Sequence, residues 1–373
     1  MTLILTFLGK GGTGRSTIAI AAAQKLANDG KQVLLVSQEA GPALSILTGH
    51  EIGPEPSPLS VGGGSRFQAV QLRTTGLLDE NWEKLKTFEA QYLRDPFFKA
   101  VYGQELSVIP GMDDFLALNA MREYTESNQY DIIVHDGKGD QSTLRLWGAI
   151  GGVDWYFRRF KKVLQDSQFY RSISPFIAPV TGAILSSGAS GDVWNQPEVQ
   201  SVEEMVAKGK ALVRDPMQLR AYVVTTGDEG AIATGKYLWS AAQQIGLTVA
   251  GTFANQTHAA QSNQVSDAFN PIPVTSLPYG TGEGHWQTLT EALPALTESP
   301  NVPSPMSVDI TASTVKLFLP GFDKTQVKLT QYGPEVTVEA GDQRHNLSLP
   351  AALNGRSVTS AKFQDGYLII SFG

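Results

Sequence analysis

Short apolar runs alternate with helix-type patterns along most of the chain before residue 298. The apolar runs are typical of buried strands and lie at Leu3–Leu8, Gln32–Val36, Phe67–Leu72, Leu106–Ile109, Asp131–His135, Ala221–Thr225, Val249–Ala254 and Ile272–Leu277. Alanine-rich Ser16–Ala27 and Tyr237–Ile245 are predicted helices between such strands. Because apolar strands that alternate with helices form a parallel sheet covered on both faces, the pattern predicts an α/β fold.

Two stretches interrupt this alternation and place apolar residues three and four positions apart. The first set comprises Leu78, Trp82, Leu85, Phe88 and Tyr92, and the second comprises Val153, Tyr156, Phe157, Phe160, Val163 and Leu164. Such spacing puts each set on one face of a helix. We therefore expect residues 75–127 and 151–215 to form a helical subdomain inserted into the α/β fold of residues 1–297.

The pattern changes again near residue 298. Residues 298–307 are rich in proline and serine, a composition typical of a linker. Beyond them, apolar and polar residues alternate around Thr337, around Ser348 and from Tyr367 to Phe372, with glycine-containing turns between. Since period-two alternation between turns indicates strands with one buried face, residues 308–373 are predicted to form a small all-β sandwich.

Composition limits the functions open to this chain of 373 residues. It has no cysteine, which excludes disulfides, thiolate zinc sites and iron–sulfur clusters, and its five histidines show no metal-ligand spacing. A net charge of −7 argues against a broad nucleic-acid interface, which needs clustered Lys and Arg. Because no apolar run is long enough to span a membrane and the first residues lack the features of a signal peptide, we expect a cytoplasmic protein.

The strongest chemical signal is the loop Gly9-Lys10-Gly11-Gly12-Thr13-Gly14-Arg15-Ser16, between the first strand and the first helix. Glycines let backbone N–H groups turn toward phosphate oxygens, and the following helix N-terminus favours negative charge. The loop therefore predicts a P-loop ATPase fold that binds ATP or ADP, with contacts from Gly11, Gly12, Thr13, Gly14, Arg15, Ser16 and Thr17. Ser16 would also coordinate Mg²⁺, and Arg15 stands where most P-loops have lysine. The alternative is a glycine-rich turn that binds nothing.

Lys10, directly after the first glycine, makes the loop resemble the deviant P-loop of a family of dimeric ATPases. That family includes the arsenite-pump ATPase and the targeting ATPase for tail-anchored membrane proteins, and its lysine reaches the nucleotide of the partner subunit. The run Tyr130–Asp136 is similar to the family's second nucleotide strand, so Asp136 is expected to hold Mg²⁺ through water; the alternative is a carboxylate that only caps a helix. Thr143-Leu144-Arg145 matches the end of the segment that senses the γ-phosphate, although the residues after Asp136 depart from the family's threonine-alanine-proline.

The resemblance, which covers roughly residues 1–297, implies roles for further residues at strand ends. Glu39 falls where the family has an aspartate that orients the attacking water, so Lys10, Glu39 and Asp136 are the expected catalytic residues. The alternative for Glu39 is a solvated loop carboxylate. Asn255 and Pro278 match the positions that contact the adenine ring.

The C-terminal segment resembles a different family. Leu319-Pro320-Gly321-Phe322-Asp323, Leu349-Pro350 and Asp365-Gly366-Tyr367-Leu368 are similar to the α-crystallin domain of small heat-shock proteins. The whole chain therefore resembles the cysteine-free members of the ATPase family that carry such a domain.

Three functions remain open from the sequence. The first is an ATP-driven homodimeric switch, held together without zinc, that binds apolar segments of client proteins as a targeting factor or chaperone. Its client groove would be lined by Trp82, Leu85, Phe88, Tyr156, Phe157 and Phe160, and the alternative is that these side chains pack together as core. The second is a nucleotide-sensing scaffold or holdase chaperone with little or no ATPase activity, which Arg15, Glu39 and the altered residues after Asp136 all favour. The third is passive chaperoning by the all-β domain, with the ATPase as its regulator.

Overall fold

The computed structural model describes residues 1–39, 41–77, 111–166, 197–279, 284–347 and 349–373. The predicted strand Leu106–Ile109 and the apolar set from Leu78 to Tyr92 lie outside these residues. The chain divides into two compact units, one with Met1–Gln71, Tyr124–Gly148 and Leu212–Gly373, the other with Leu72–Glu123 and Ala149–Ala211. Every β-sheet of the described residues belongs to the first of these units.

An eight-stranded sheet forms the centre of the first unit. Its strands are β1 Leu3–Leu8, β2 Val33–Ser37, β3 Ser57–Leu59, β4 Phe67–Gln71, β5 Ile132–Asp136, β6 Leu219–Thr225, β7 Val249–Ala254 and β8 Val274–Ser276. They lie in the order β3-β4-β2-β5-β1-β6-β7-β8, and all neighbours are parallel except β3 and β4. The mostly parallel α/β fold predicted from the apolar runs is therefore confirmed.

Helices connect these strands and continue beyond them. They are α1 Arg15–Asn28, α2 Ala43–Thr48, α3 Met112–Glu126, α4 Asp140–Asp166, α5 Pro197–Arg214, α6 Glu229–Gln244, α7 Ala259–Phe269 and α8 His285–Ala292. Helix α6 begins well before its predicted start at Tyr237, because the Asp228 carboxylate caps it and accepts a hydrogen bond from the Ala231 N–H at 3.0 Å. Among the described helices, none combines the length and the apolar content needed to cross a membrane.

Alternate residues of the central strands face opposite sides of the sheet. On one side, Val134 of β5 belongs to a buried apolar cluster with residues of α1. On the other side α6 packs against β6, where a Cβ added to Gly235 would lie 3.1 Å from Val223 Cγ1. The alternation along β5 therefore turns His135 away from α1 and turns Asp136 toward it.

Antiparallel strands form the C-terminal part of the first unit. They are β9 Met306–Asp309, β10 Thr314–Phe318, β11 Val327–Tyr332, β12 Glu335–Ala340, β13 Gln343–Asn346, β14 Val358–Gln364 and β15 Tyr367–Phe372. One sheet has the order β14-β15-β10-β9 and the other β11-β12-β13, and apolar residues of both share one buried cluster. The predicted all-β fold is confirmed, although β13 ends at Asn346 and the expected alternation around Ser348 lies partly outside the described residues.

The all-β part packs on helix α6. Tyr237 of α6 meets Phe322 edge-on, with ring centroids 5.4 Å apart. The side-chain amide of Gln244 donates a hydrogen bond to the Val338 carbonyl at 3.0 Å, in a buried position. Apolar contact and buried hydrogen bonds together attach this part to the α/β fold.

Candidate functional site

The glycine-rich loop between β1 and α1 has a conformation that favours glycine at several positions. Gly12 and Gly14 have φ values of 85° and 92°, in the left-handed region that side chains with a Cβ rarely adopt. A Cβ added to Gly9 would lie 2.2 Å from the Val224 carbonyl oxygen, so the loop starts directly against β6. Apart from each glycine and its two chain neighbours, no heavy atom of the described residues lies within 4 Å of a Cβ added to Gly11 or Gly12. That leaves space for an anion at the N-terminus of α1.

Asp136 ends β5 beside this loop and is only 2% exposed. The pKa of Asp136 is raised to about 6, mainly because burial disfavours the charged carboxylate. A hydrogen bond from Ser16 and the charge of Arg15 oppose this rise in pKa, and the charge of Glu39 adds to it. A buried carboxylate paired with a hydroxyl, beside an open glycine loop, fits a hard cation such as Mg²⁺, which prefers oxygen ligands.

Arg15 turns back onto its own loop. Its Nη1 donates a hydrogen bond to the Gly9 carbonyl oxygen at 2.8 Å. The same guanidinium fills the space beside Gly139, because a Cβ added there would lie 2.1 Å from Nη1. Arg15 therefore links the P-loop to the segment that follows Asp136, as well as supplying positive charge near the carboxylate.

Asn255 lies under the loop. Its Nδ2 donates a hydrogen bond to the Thr13 carbonyl oxygen at 2.9 Å, and a Cβ added to Gly14 would lie 2.3 Å from that nitrogen. The structure thus brings Asn255 to the P-loop and engages its amide donor there. Pro278, expected at the adenine ring, is half-buried and precedes the exposed Tyr279. The adenine contacts of Asn255 and Pro278 stay predictions.

Glu39 is exposed at the end of the segment that follows β2. The side chain of Gln71, itself buried at the end of β4, donates to the carbonyl oxygens of Glu39 and Gly41 at 2.7 and 2.9 Å. Because Glu39 influences the pKa of Asp136, its charge acts at the same edge of the sheet. The fold therefore groups Glu39, Asp136 and Ser16, while the catalytic role of Glu39 stays a prediction.

Lys10 extends from the loop into solvent and pairs with its own chain. Its Nζ lies 3.6 Å from Asp228 Oδ1, and the two side chains are 50% and 55% exposed. Hydrogen bonds from the Thr226 hydroxyl and the Ala231 N–H hold the pKa of Asp228 below its usual value, and Lys10 contributes less. The predicted contact of Lys10 with a partner subunit stays a prediction.

A buried chain of polar side chains behind Asp136 was missed by the sequence reasoning. Thr6 Oγ1 lies 2.9 Å from Nδ1 of His135, and Nε2 of His135 lies 2.9 Å from Oε1 of Gln38. Burial lowers the pKa of His135 to about 3, so the imidazole is neutral. The available signal was that Thr6 and His135 are polar residues inside apolar strands.

Of the remaining predicted site residues, Thr17 lies among the described residues, whereas the side chains of the predicted client groove do not. Thr17 is half-buried in the first turn of α1. Trp82, Leu85 and Phe88 lie outside the described residues, and so do the side chains of Tyr156, Phe157 and Phe160 in α4. The client groove stays a prediction.

Comparison with known proteins finds two family models that match this chain. Residues 2–271 match the model of the ArsA family, described as an anion-transporting ATPase, and residues 311–372 match the HSP20-like domain found in ArsA. A protein of Prosthecochloris vibrioformis, provisionally named an arsenical pump-driving ATPase, is 22% identical over 99% of this chain and 95% of its own length. ATPase GET3 of Malassezia globosa is 22% identical over 66% of this chain and 70% of its own.

An uncharacterized protein of Streptomyces coelicolor is 26% identical over 100% of this chain and 97% of its own length. The family match spans the eight-stranded sheet from β1 to β7, including the P-loop and Asp136. The second match spans β10 to β15. The resemblance identified in the P-loop is therefore confirmed, and the chain belongs to the ArsA family of anion-transporting ATPases and carries the HSP20-like domain found in that family.

Proposed function

We propose that this ATPase binds MgATP at the loop Gly9–Ser16 and hydrolyses it as a homodimer that takes up and releases apolar protein segments. The observation that supports nucleotide binding most strongly is the buried carboxylate of Asp136, which pairs with the half-buried Ser16 of the glycine-rich loop. Burial disfavours the ionised form of the Asp136 carboxylate unless a cation neutralises its charge.

The roles of the chain's own residues follow from their positions. The N–H groups of Gly11 to Ser16 would hold the phosphates, and Ser16 and Asp136 would hold Mg²⁺, Asp136 through water, so that the ion supplies the Lewis acid of the site. Glu39 is the proposed acceptor for a proton of the attacking water, since its carboxylate is exposed to solvent while Gln71 fixes its backbone. Asn255 supports the loop through Thr13.

The exposed position of Lys10 supports its action on the nucleotide of a second subunit. An ion pair between two half-exposed side chains contributes little to stability, so Lys10 can leave Asp228 at small cost. In a two-fold dimer, each subunit would supply this cation to the other's phosphates, where negative charge develops during hydrolysis.

Single-turnover hydrolysis of ATP tests the catalytic proposal. We expect Lys10→Ala to slow the reaction by about 100-fold or more, because a phosphate-directed cation is lost. Lys31→Ala, which removes another exposed lysine, is the matched control and should leave the rate unchanged. Equal rates in wild type and Lys10→Ala would contradict the proposal and favour a nucleotide-sensing scaffold.

The client part of the proposal is supported by the apolar helical sets of residues 75–127 and 151–215, and by the resemblance to the family that includes the targeting ATPase for tail-anchored membrane proteins. One relative of this chain is named ATPase GET3. A photo-crosslinking residue placed at Trp82 or Phe157 should capture an apolar peptide of transmembrane length, more strongly with a non-hydrolysable ATP analogue than with ADP. The same residue at Tyr332, which is 74% exposed in the all-β part, is the control. Capture no stronger than at Tyr332 would contradict an apolar groove at these helices.

A further inference from the structure

His135 occupies a central position among the segments that form the nucleotide site. It lies in β5 between Thr6 of β1 and Val36 of β2, as the register of the three strands shows. Its side chain is fully buried, and both ring nitrogens are within 2.9 Å of a polar partner. The partner of Nε2 is Gln38, which immediately precedes Glu39.

The ring also contacts the segment that follows Asp136. A Cβ added to Gly137 would lie 3.0 Å from His135 Cε1, and Trp147 of α4 meets the imidazole edge-on at 5.5 Å between ring centroids. One side chain therefore touches β1, which leads into the P-loop, the segment that carries Glu39, and the segment that leads into α4.

The hydrogen bonds define one arrangement of the donors. Gln38 Oε1 can only accept, so Nε2 of the neutral imidazole donates to it, and Nδ1 accepts from the Thr6 hydroxyl. Thr6, His135 and Gln38 are 0%, 0% and 5% exposed, so water cannot replace either bond without opening the core. The Gln38 backbone N–H also donates a hydrogen bond to the Asp136 carbonyl oxygen at 3.0 Å, so both the backbone and the side chain of Gln38 attach to β5.

We infer that His135 is a positioning residue for ATP hydrolysis, which acts through Gln38 to hold the Glu39 segment at a set distance from Asp136. Gln71 anchors the same segment from the neighbouring strand β4, so Glu39 is held from two sides. The inference rests on the proposed role of Glu39 for its catalytic consequence. The positioning of the Glu39 segment by His135 does not depend on whether Glu39 is the catalytic base.

Two substitutions of His135 separate its two hydrogen bonds. In His135→Gln, the amide nitrogen takes about the place of Nε2 and can still donate to Gln38. In His135→Asn, the shorter amide takes about the place of Nδ1, so it reaches Thr6 but leaves Gln38 unpaired. We expect His135→Asn to lower kcat by about 10-fold with KM for ATP unchanged, and His135→Gln to stay close to wild type, because misplacing a base affects the chemical step more than binding.

Hydrogen–deuterium exchange on nucleotide-free protein gives a readout that does not depend on activity. The amides of residues 38, 39 and 41 should exchange about 10-fold faster in His135→Asn than in His135→Gln, while the amides of α1 keep the wild-type rate. Gln38→Leu should reproduce His135→Asn, and the double variant should add no further change, since both remove the same bond. Gln38→Leu also serves if His135→Asn does not fold.

The outcomes distinguish this inference from the proposal for Glu39. Equal exchange at residues 38, 39 and 41 in His135→Asn, Gln38→Leu and wild type would overturn the positioning role. Faster exchange with unchanged kcat would overturn the catalytic consequence. An unchanged rate in Glu39→Gln, together with the predicted exchange difference, would refute Glu39 as the base while leaving the hold of His135 on the segment in place.

Discussion

Two neighbouring residues of β5 show how differently the two sides of the sheet are built. On the α1 side, Asp136 is buried with its pKa raised to about 6, and on the α6 side, His135 is buried with its pKa lowered to about 3. Burial is the main cause of both changes, which have opposite directions because a carboxyl group is charged when deprotonated and an imidazole when protonated. Both residues are thus held toward their neutral forms.

The difference lies in their partners. His135 has a hydrogen-bond partner for each ring nitrogen inside the protein. Asp136 receives a hydrogen bond from Ser16 and the charge of Arg15, and both residues follow the P-loop glycines Gly11 and Gly12, which leave open space around them. We therefore expect the α1 side to bind a cation from solution, and the α6 side to position the segments next to His135.

The largest effect is expected from Asp136→Asn. The substitution removes the negative charge proposed to hold Mg²⁺, so single-turnover hydrolysis should slow by about 100- to 1000-fold. Asp131→Asn is the matched control at the opposite end of β5, where the Asp131 carboxylate accepts a hydrogen bond from the exposed Gln32 N–H. A hydrolysis rate for Asp136→Asn above a tenth of the wild-type rate would contradict the proposal that the Asp136 carboxylate holds the Mg²⁺ needed for hydrolysis.

Asp136 should also make stability depend on pH in the nucleotide-free protein. Its folded pKa of about 6 lies above the value in an unfolded chain, so its contribution to stability is present at low pH and is lost as the pH rises through 6. A rise of this size in the pKa corresponds to about 3 kcal/mol in the free energy of unfolding. Urea unfolding at pH 4 and pH 7 should therefore show Asp136→Asn gaining about 3 kcal/mol over wild type at the higher pH.

His135 changes stability in the opposite direction, because its lowered pKa makes stability fall as the pH drops below about 6.5. That contribution is common to wild type and Asp136→Asn, so it cancels in their difference. A difference in unfolding free energy that is the same at pH 4 and pH 7 would contradict the assignment of the raised pKa to Asp136.

A smaller effect is expected where α4 meets the all-β part on the α6 side. The Tyr237 hydroxyl oxygen lies 3.0 Å from Gln141 Nε2, at the start of α4, and accepts the Asp342 N–H at 2.8 Å. Tyr237→Phe should lower the free energy of unfolding by about 1 to 2 kcal/mol without changing ATP affinity. Tyr332→Phe, at an exposed tyrosine of β11, is the control, and equal losses in both variants would argue against a specific role for the Tyr237 hydroxyl.

The smallest effect is expected from Asp228→Asn. It keeps a residue able to cap α6 but removes the charge beside Lys10, and exposed ion pairs contribute little. The melting temperature should be unchanged and the hydrolysis rate should stay within about 2-fold of wild type. A loss as large as that of Lys10→Ala would place the working partner of Lys10 in its own chain.

The strand pattern was predictable from sequence wherever an apolar run was long and bounded by glycine, as at β1 and β5. The three-residue strand β3 was not predicted, because it contains Pro58 and is too short to show a period. The start of α6 was placed too late, since the glycines at 230 and 235 weaken its helical pattern.

In the candidate site too, some features could be predicted from the sequence and others could not. The glycine spacing of the P-loop and the position of Asp136 at a strand end are local features, which a sequence can show. The contact of His135 with Gln38 depends on the register between β2 and β5, and the hold of Gln71 on Glu39 depends on the order of β2 and β4. Both are long-range properties that apolar periodicity leaves open.

The central claim, that two subunits complete each other's nucleotide sites, is tested most directly by mixing two inactive variants. Lys10→Ala keeps Asp136, and Asp136→Asn keeps Lys10, so each mixed dimer would contain one complete site. After unfolding and refolding together at equal amounts, the mixture should hydrolyse ATP at about a quarter of the wild-type rate per subunit, because half of the dimers are mixed and each has one working site. A mixture no more active than the two variants measured separately would contradict the claim and confine Lys10 to its own subunit.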